Sequence, residues 1–424
     1  MSITIFLLWL LTTSFFSLIS TQPSPSPPPL RGYLINCGSK TDIQQDGIQY
    51  SKDEGYTATG TRTALKNTTH ITLPILTTLR YFPYGPGKHC YDFPVTKGAK
   101  YLIRTTYYYG QFDGGTHPPV FDQIVDGTTW GVVNTTEDYN NGLTSYYEII
   151  VVANDKTLSV CFACNEQTIR DSNPFVSLLE VLILDSSLYN STDFGKYGLV
   201  TVARSNFASE TDFVRFPDDP FNRYWQPFVD GNPTVEAHVN VTSSEFWNRP
   251  PAKVFLSGST TSRGKNLKIQ WPPFSLPTNR YYVALYFQDS RSTSPYSWRV
   301  FTVLIDDKTF YQDLNVTTKG VTVYGTEWPL SGDTQITLTP RSDMPVGPTI
   351  NAGEIYQILP LAVTTLARDG IMVILNSLLL ALQMLKQSLK NPPDDWNGDP
   401  CLPKEHPWFG IGCTEGKQVR VTSL

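Results

Sequence analysis

Apolar and polar residues alternate along this chain in short runs, and Gly, Pro and Asn break the runs at roughly 8–12 residue spacing. The clearest predicted strands of the first half cover residues 71–82, 101–109, 146–152 and 176–184. In the second half they cover 252–257, 281–287, 299–305, 335–338 and 354–359. No helical period interrupts them before Pro360, so an antiparallel β-sandwich is the expectation. After Pro360 the period changes. Ile371, Leu375, Leu378, Leu382, Leu385 and Leu389 recur at steps of three and four, with Asn376, Gln383, Lys386, Gln387 and Lys390 between them. That spacing predicts an amphipathic helix packed on a neighbouring domain and stopped by Asn391-Pro392-Pro393. Residues 370–380 are apolar on all sides.

The pattern occurs twice. Tyr101, Phe121 and Asp126 match Tyr281, Phe301 and Asp306 at a common offset of 180 residues. Ile48-Gln49-Tyr50 with Asp53 resembles Val214-Arg215-Phe216 with Asp219, and PFVSLLE ending at Glu180 resembles PTINAGE ending at Glu354. One period of this length predicts a duplicated domain, since a solenoid would need several short repeats.

Composition narrows the class. With 33 basic against 38 acidic residues and no Lys/Arg stripe, nothing suits the chain to nucleic acid. The 23 Tyr and 22 Phe favour strands and contact surfaces. Residues 3–19 form an apolar and hydroxyl run, which predicts a secretory signal peptide over residues 1–20 and no membrane span beyond it. N-x-S/T sequons at Asn67, Asn134, Asn190, Asn240 and Asn315 and an even count of six cysteines fit an oxidising, extracellular setting.

Six words carry a family resemblance: INCGS (35–39), LRYFPYGPGKHCY (79–91), YGQFDG (109–114), RFPDDPFNRYW (215–225), YYVALYF (281–287) and INAGEIYQI (350–358). Together they resemble the plant malectin-like domain, and WNGDPC followed by WFGIGC resembles the cap that precedes leucine-rich repeats in plant receptor-like kinases. The resemblance implies a receptor-like kinase ectodomain: two malectin-like β-sandwiches outside the cell, ahead of repeats, a membrane span and a Ser/Thr kinase. The sequence ends at Leu424, where the first repeat would start, so a form truncated before repeats, span and kinase is expected. Residues 370–380 look like an insertion relative to that family.

The expected organisation is a signal peptide (1–20), a Pro/Ser linker (21–30), malectin-like domain 1 (31–185), a connector (186–210), malectin-like domain 2 (211–359), the amphipathic helix (360–393), and the GDPC motif with the start of the repeat cap (394–424). Gly398-Asp399-Pro400-Cys401 reads first as a capping turn. Cys401 and Cys413 are expected to pair, worth ~3 kcal/mol on the chain-entropy model. Cys37, Cys90, Cys161 and Cys164 allow three connectivities, and C-x-x-C at 161–164 lacks the second ligand pair that zinc requires.

Candidate ligand-binding residues are the aromatic and acidic groups of the repeated loops: Tyr107, Tyr109, Phe112, Asp113 and Trp130 in the first half, and Tyr286, Asp289, Tyr296 and Trp298 in the second. Aromatic faces beside carboxylates suit sugar rings, and the competing reading is that alternate tyrosines are core. Asp193-Phe194-Gly195 spells a kinase tripeptide, but no Gly-rich loop, V-A-I-K strand or H-R-D loop accompanies it, so it reads as a chance turn. The histidines form no cluster, no G-x-S-x-G occurs, and the scattered carboxylates make no case for a glycosidase. The expectation is therefore a non-catalytic recognition module with no metal and no cofactor. Its expected ligand is a cell-wall oligosaccharide or a peptide, held at the loops or in the cleft between the domains, with a co-receptor ectodomain as partner. The alternative is a protein-interaction ectodomain or soluble decoy without sugar binding.

Overall fold

The computed structural model describes residues 29–423, apart from 67–70, 72, 166–172, 211–212, 239–240, 292–294, 297, 363–381, 383, 387, 391, 394, 415–418 and 420. The fold is mainly β. Among the described residues an eleven-stranded sheet runs through the molecule in the order Ile43–Gln45, Ile48–Lys52, Gly32–Asn36, Leu178–Leu184, Lys100–Tyr107, Ser145–Val152, Tyr197–Phe207, Ala352–Pro360, Leu276–Phe287 and Val321–Gly332. Gln226–Phe228 pairs beside Tyr197–Phe207.

Alternation explains why one sheet can serve two cores. Tyr101, Ile103 and Tyr107 point to one face, and in the first half they pack on a four-stranded sheet of Lys88–Pro94, Thr157–Cys164, Phe121–Val125 and Thr128–Val133. In the second half Tyr281, Val283, Leu285 and Phe287 use the same face against Leu267–Gln270, Gln335–Pro340, Trp298–Ile305 and Lys308–Thr317. The opposite face carries Leu102, Ile150, Tyr282, Tyr286 and Tyr356. Loops that include Leu188, Tyr189, Val214, Trp225 and Phe255 cover it. A sheet buried on both faces must be apolar at nearly every position, which accounts for strands that are apolar at successive positions as well as alternating ones.

The strand order of the first half recurs in the second. Leu178–Leu184 lies between Gly32–Asn36 and Lys100–Tyr107 as Ala352–Pro360 lies between Tyr197–Phe207 and Leu276–Phe287. The hairpin turns agree as well. Asp126-Gly127 and Asp306-Asp307 both hold positive φ at their two central residues, the requirement of a type I′ turn. Ser159 N donates to Asp126 Oδ1 at 2.8 Å, and Gln335 N donates to Asp306 Oδ1 at 2.8 Å. Tyr197–Phe207, inside the stretch read as a connector, is a full strand of the main sheet. It pairs with Ser145–Val152 through Ile149↔Val200 and Ile150↔Leu199.

Most of the expected C-terminal helix, including residues 370–380, falls outside the described residues. Of the described ones, Leu382, Met384, Leu385, Lys386 and Ser388 are helical. Leu382 packs with Trp396, Leu402, Trp408 and Ile411 around the Cys401–Cys413 disulfide.

Candidate functional site

Charged residues sit inside the strands at core positions. Glu180, Arg104, Glu148, Arg204 and Glu354 lie on five adjacent strands of the main sheet, alternating in sign, with side chains no more than 2% exposed. Register pairs set Glu180 opposite Arg104, Glu148 opposite Arg104, and Arg204 opposite Glu354. Arg104 bridges Glu180 and Glu148, and Arg204 bridges Glu148 at 2.8 Å and Glu354 at 2.8 Å. Burial pushes the Glu148 carboxyl up, but the Arg104 and Arg204 guanidiniums outweigh it and hold Glu148 below the usual range. Glu354 is likewise held low against burial by Arg204 and Arg223.

The loop that contains RFPDDPFNRYW closes over this ladder. Tyr224 lays its ring on the Arg104 guanidinium at 3.5 Å, and Asn222 O accepts from Arg104. At one end Tyr50 donates to Glu180 at 2.7 Å. At the other, Tyr189, Tyr286 and Tyr356 donate to Glu354 at 2.6–2.7 Å. This buried row is thus satisfied from end to end by hydrogen-bonded and stacked side chains. Its physical cause is the two-strand joint, which brings the ladder halves into contact. The repeated aspartates hold equivalent posts: Asp53 accepts from Arg80 at 2.6 Å, and Asp219 from Arg223 at 2.9 Å.

The structure separates the candidate aromatics into two groups. Tyr107, Tyr109 and Trp130 are at most 4% exposed in the first core, and Tyr286 is fully buried as a donor to Glu354. Phe112 is half-buried, stacked on Tyr81 at 5.3 Å, and Asp113 beside it is exposed and accepts from Tyr109 at 2.6 Å. Gln111 Nε2 donates to Tyr139 at 2.9 Å, which braces the same loop. In the second half Asp289 is buried and grips Arg291 Nε at 2.7 Å and Arg299 Nε at 3.2 Å. Tyr296 is 60% exposed and Trp298 half-buried. The surface left from the candidate set is Phe112 with Asp113 on one loop and Tyr296 with Trp298 on the other.

The C-terminal segment docks on the first half. Lys88 Nζ donates to Asp399 O at 2.7 Å and to His406 O at 2.6 Å, and Ala362 N donates to Thr128 Oγ1 at 2.8 Å. Gly398, at φ +60°, lies against the Cys90–Cys161 disulfide, where an added Cβ would meet Cys90 Sγ at 3.2 Å. Burial lowers the Lys88 amine to about 8 and raises the Asp126 carboxyl to about 6, the latter with Asp92, Asp155 and Asp399 nearby.

Cys90 and Cys161 pair because they face one another in register on adjacent strands. Of the three connectivities left open, this bond is the one present in the first half. Cys37 remains a buried thiol beside Asp53 and Tyr91, with burial pushing its ionisation well up. Asp193-Phe194-Gly195 is a turn, with Asp193 accepting from Gly195 N and Lys196 Nζ. Of the sequon asparagines, Asn134, Asn190 and Asn315 are exposed, while Asn67 and Asn240 lie outside the described residues. No helix among the described residues is long and apolar enough to cross a membrane, and no three His, Cys, Asp or Glu residues among them group as metal ligands.

The sequence signal for the ladder was present. Charges at strand positions in phase with the core, as in YLIRTTY and SYYEIIVV, must be paired where they are buried.

The chain is 28% identical over 422 residues to the Arabidopsis thaliana receptor-like protein kinase At3g21340, covering 95% of this chain and 44% of that relative. It is 27% identical over 384 residues to the probable receptor-like serine/threonine-protein kinase MEE39 of the same plant, covering 87% and 40%. It therefore spans less than half the length of these relatives. Among solved structures, the ANXUR1 extracellular domain from Arabidopsis thaliana superposes with a TM-score of 0.64 at 16% identity, covering 77% of this chain and 97% of that one. A plant complex of the peptide RALF23 with FER and LLG2 superposes with a TM-score of 0.62 at 18% identity, covering 78% and 96%. The malectin-like domain family matches residues 35–358, and the chain belongs to that family.

Proposed function

We propose that this chain is the extracellular recognition module of a receptor-like kinase, non-catalytic in itself, and that its ligand is a peptide or the loop of a partner ectodomain. The observation that carries this reading is the burial of the aromatics a sugar site would use. Tyr107, Tyr109, Trp130 and Tyr286 are spent on the cores. What stays at the surface, Phe112 with Asp113 and Tyr296 with Trp298, sits on two separate loops. Paired aromatic and polar anchors of this kind suit a polypeptide surface better than one sugar ring. The solved neighbour that holds RALF23 with FER and LLG2 supports a peptide ligand and a co-receptor.

The reading has a domain plan: malectin-like units over 31–185 and 211–359, then a helix and a repeat cap, exported behind a signal peptide and glycosylated at the sequons. The recurring strand order supports the two units, and the exposed Asn134, Asn190 and Asn315 support glycosylation. Calorimetric titration with a panel of secreted plant peptides, and separately with cell-wall oligosaccharides, tests the ligand class. The reading expects heat from a peptide, weakened by Tyr296→Ala with the melting temperature unchanged. Saturable binding of an oligosaccharide with silence from every peptide would overturn it.

A further inference from the structure

Among the described residues, three of the four polar groups of Asn134 are engaged. The Tyr147 hydroxyl accepts from Asn134 N at 3.1 Å and donates to Asn134 O at 3.2 Å, while Asn134 Oδ1 accepts from Thr136 N at 3.1 Å. The fourth group is Nδ2, the atom that an N-linked glycan occupies. Asn134 is exposed and lines a groove of about 520 Å³ together with Thr136, Glu137, Asn140 and Asn141. Every one of these side chains is polar. Asn141 Nδ2 donates to Glu137 O at 3.0 Å, and the Glu137 and Asn140 side chains stand exposed beside it. A concave site ringed by carboxylate and amide groups suits the hydroxyl and acetamido groups of a sugar.

The groove runs along Thr136–Asn140, a helix too short to hold itself together by its own hydrogen bonds. That helix carries Tyr139, whose ring meets Tyr109 edge-on at 5.2 Å and whose hydroxyl accepts from Gln111 Nε2 at 2.9 Å. Tyr109 in turn donates to Asp113 Oδ1 at 2.6 Å. One chain of contacts therefore joins the groove to the loop that presents Phe112 and Asp113.

We propose that the first N-acetylglucosamine of a glycan on Asn134 lies in this groove, hydrogen-bonded to Glu137 and Asn140, and steadies the Phe112 and Asp113 loop through Tyr139. The tether identifies the occupant. A sugar joined to a residue of the groove wall is held there at a high effective concentration, an advantage a free sugar lacks. The inference rests on the export and glycosylation proposed above, and it gives one sequon a task at the ligand loop. Asn315 serves as the comparison. It projects from Lys308–Thr317 between Leu314 and Val316, which are both buried.

Amide exchange of the chain secreted with high-mannose glycans tests this, with Gly114 and Gly115 as reporters. Their amides donate to Gln111 O at 3.1 Å and to Asp113 Oδ1 at 2.9 Å, so they follow the order of the loop. Thr136→Ala removes the hydroxyl that the sequon requires and keeps Asn134. Both amides should then exchange roughly fivefold faster, the worth of one net hydrogen bond. Stripping the whole glycan from the natural chain with an amidase should reproduce the change, which separates the sugar from the substituted side chain. Glu137→Ala, which keeps the glycan and breaks its seat, should move the amides the same way, and Asn315→Gln should leave them alone. Endoglycosidase trimming to the first sugar should also leave them alone, because that sugar is the one seated. A bare Asn134 by glycopeptide mass, amides indifferent to amidase stripping or to Glu137→Ala, or a loop that loosens on trimming would each overturn the proposal. A glycosylated Asn134 with an indifferent loop defeats this inference alone, whereas bare asparagines at every sequon defeat the glycosylation reading as well.

Discussion

Glu148 Oε1 accepts from Arg204 Nη1 at 2.8 Å, and the two residues belong to strands from different halves of the molecule. Two backbone register pairs join those strands, so the side-chain ladder does much of the fastening. A buried ion pair is not strong evidence of net stabilisation, but removing one partner leaves a charge stranded, at about 3–5 kcal/mol. Arg204 serves two glutamates, so Arg204→Met takes the salt-bridge partner from Glu354 and leaves Glu148 to Arg104 alone. We expect it to lower the melting temperature by roughly 10 °C, a shift scaled from its free-energy cost. Thermal denaturation followed by circular dichroism checks this, and a shift within a degree or two would contradict it.

Acid should act on the same ladder. Glu148 and Glu354 are held below their ordinary value of 4.5 in the folded protein. A depressed carboxylate contributes stability that is present above its unfolded pKa and lost as pH falls through the folded one. Urea midpoints should therefore fall steeply as the pH drops from about 4.5 downward, and the fall should be shallower in Glu354→Gln.

The docked tail offers a test in the opposite pH direction. The Lys88 amine, ordinarily near 10.5, is lowered to about 8 by burial. A lowered amine means that charged Lys88 opposes docking, so the tail should hold more tightly as pH rises through 8 towards 10.5. Protection of the amides around Trp396 and Trp408, measured against their base-catalysed intrinsic exchange, should rise accordingly, and Lys88→Met should abolish the trend. Gly398→Val should lower that protection at every pH by pushing a side chain into the Cys90–Cys161 disulfide.

The thiols can be counted by chemistry. Non-reducing peptide mapping should return Cys90 with Cys161 and Cys401 with Cys413, and Cys37 should alkylate only after unfolding. Rapid alkylation of Cys37 in the folded protein would contradict its buried setting.

Much of the fold was legible because its signals are local. The strands around Tyr101 and Tyr281 announce themselves through aromatic runs, and the offset of 180 residues ties their hairpins together. Tyr197–Phe207 is hidden in the sequence because Arg204 and Asn206 make it look solvent-exposed, and its antiparallel partners lie more than forty residues away in either direction. The candidate aromatics divide into buried and exposed for a related reason. An aromatic at every second strand position marks a buried face as readily as a binding face, and Tyr107 and Trp130 are buried while Tyr296 is not. Burial depends on what packs across the sheet, which spacing along one strand does not report.

Scanning calorimetry of the natural chain probes the weld between the halves most directly. If the sheet and its charged row make the halves one body, unfolding of residues 31–360 gives a single transition whose van't Hoff and calorimetric enthalpies agree. Two separate transitions, with the higher one unmoved by Arg204→Met, would show halves that merely touch.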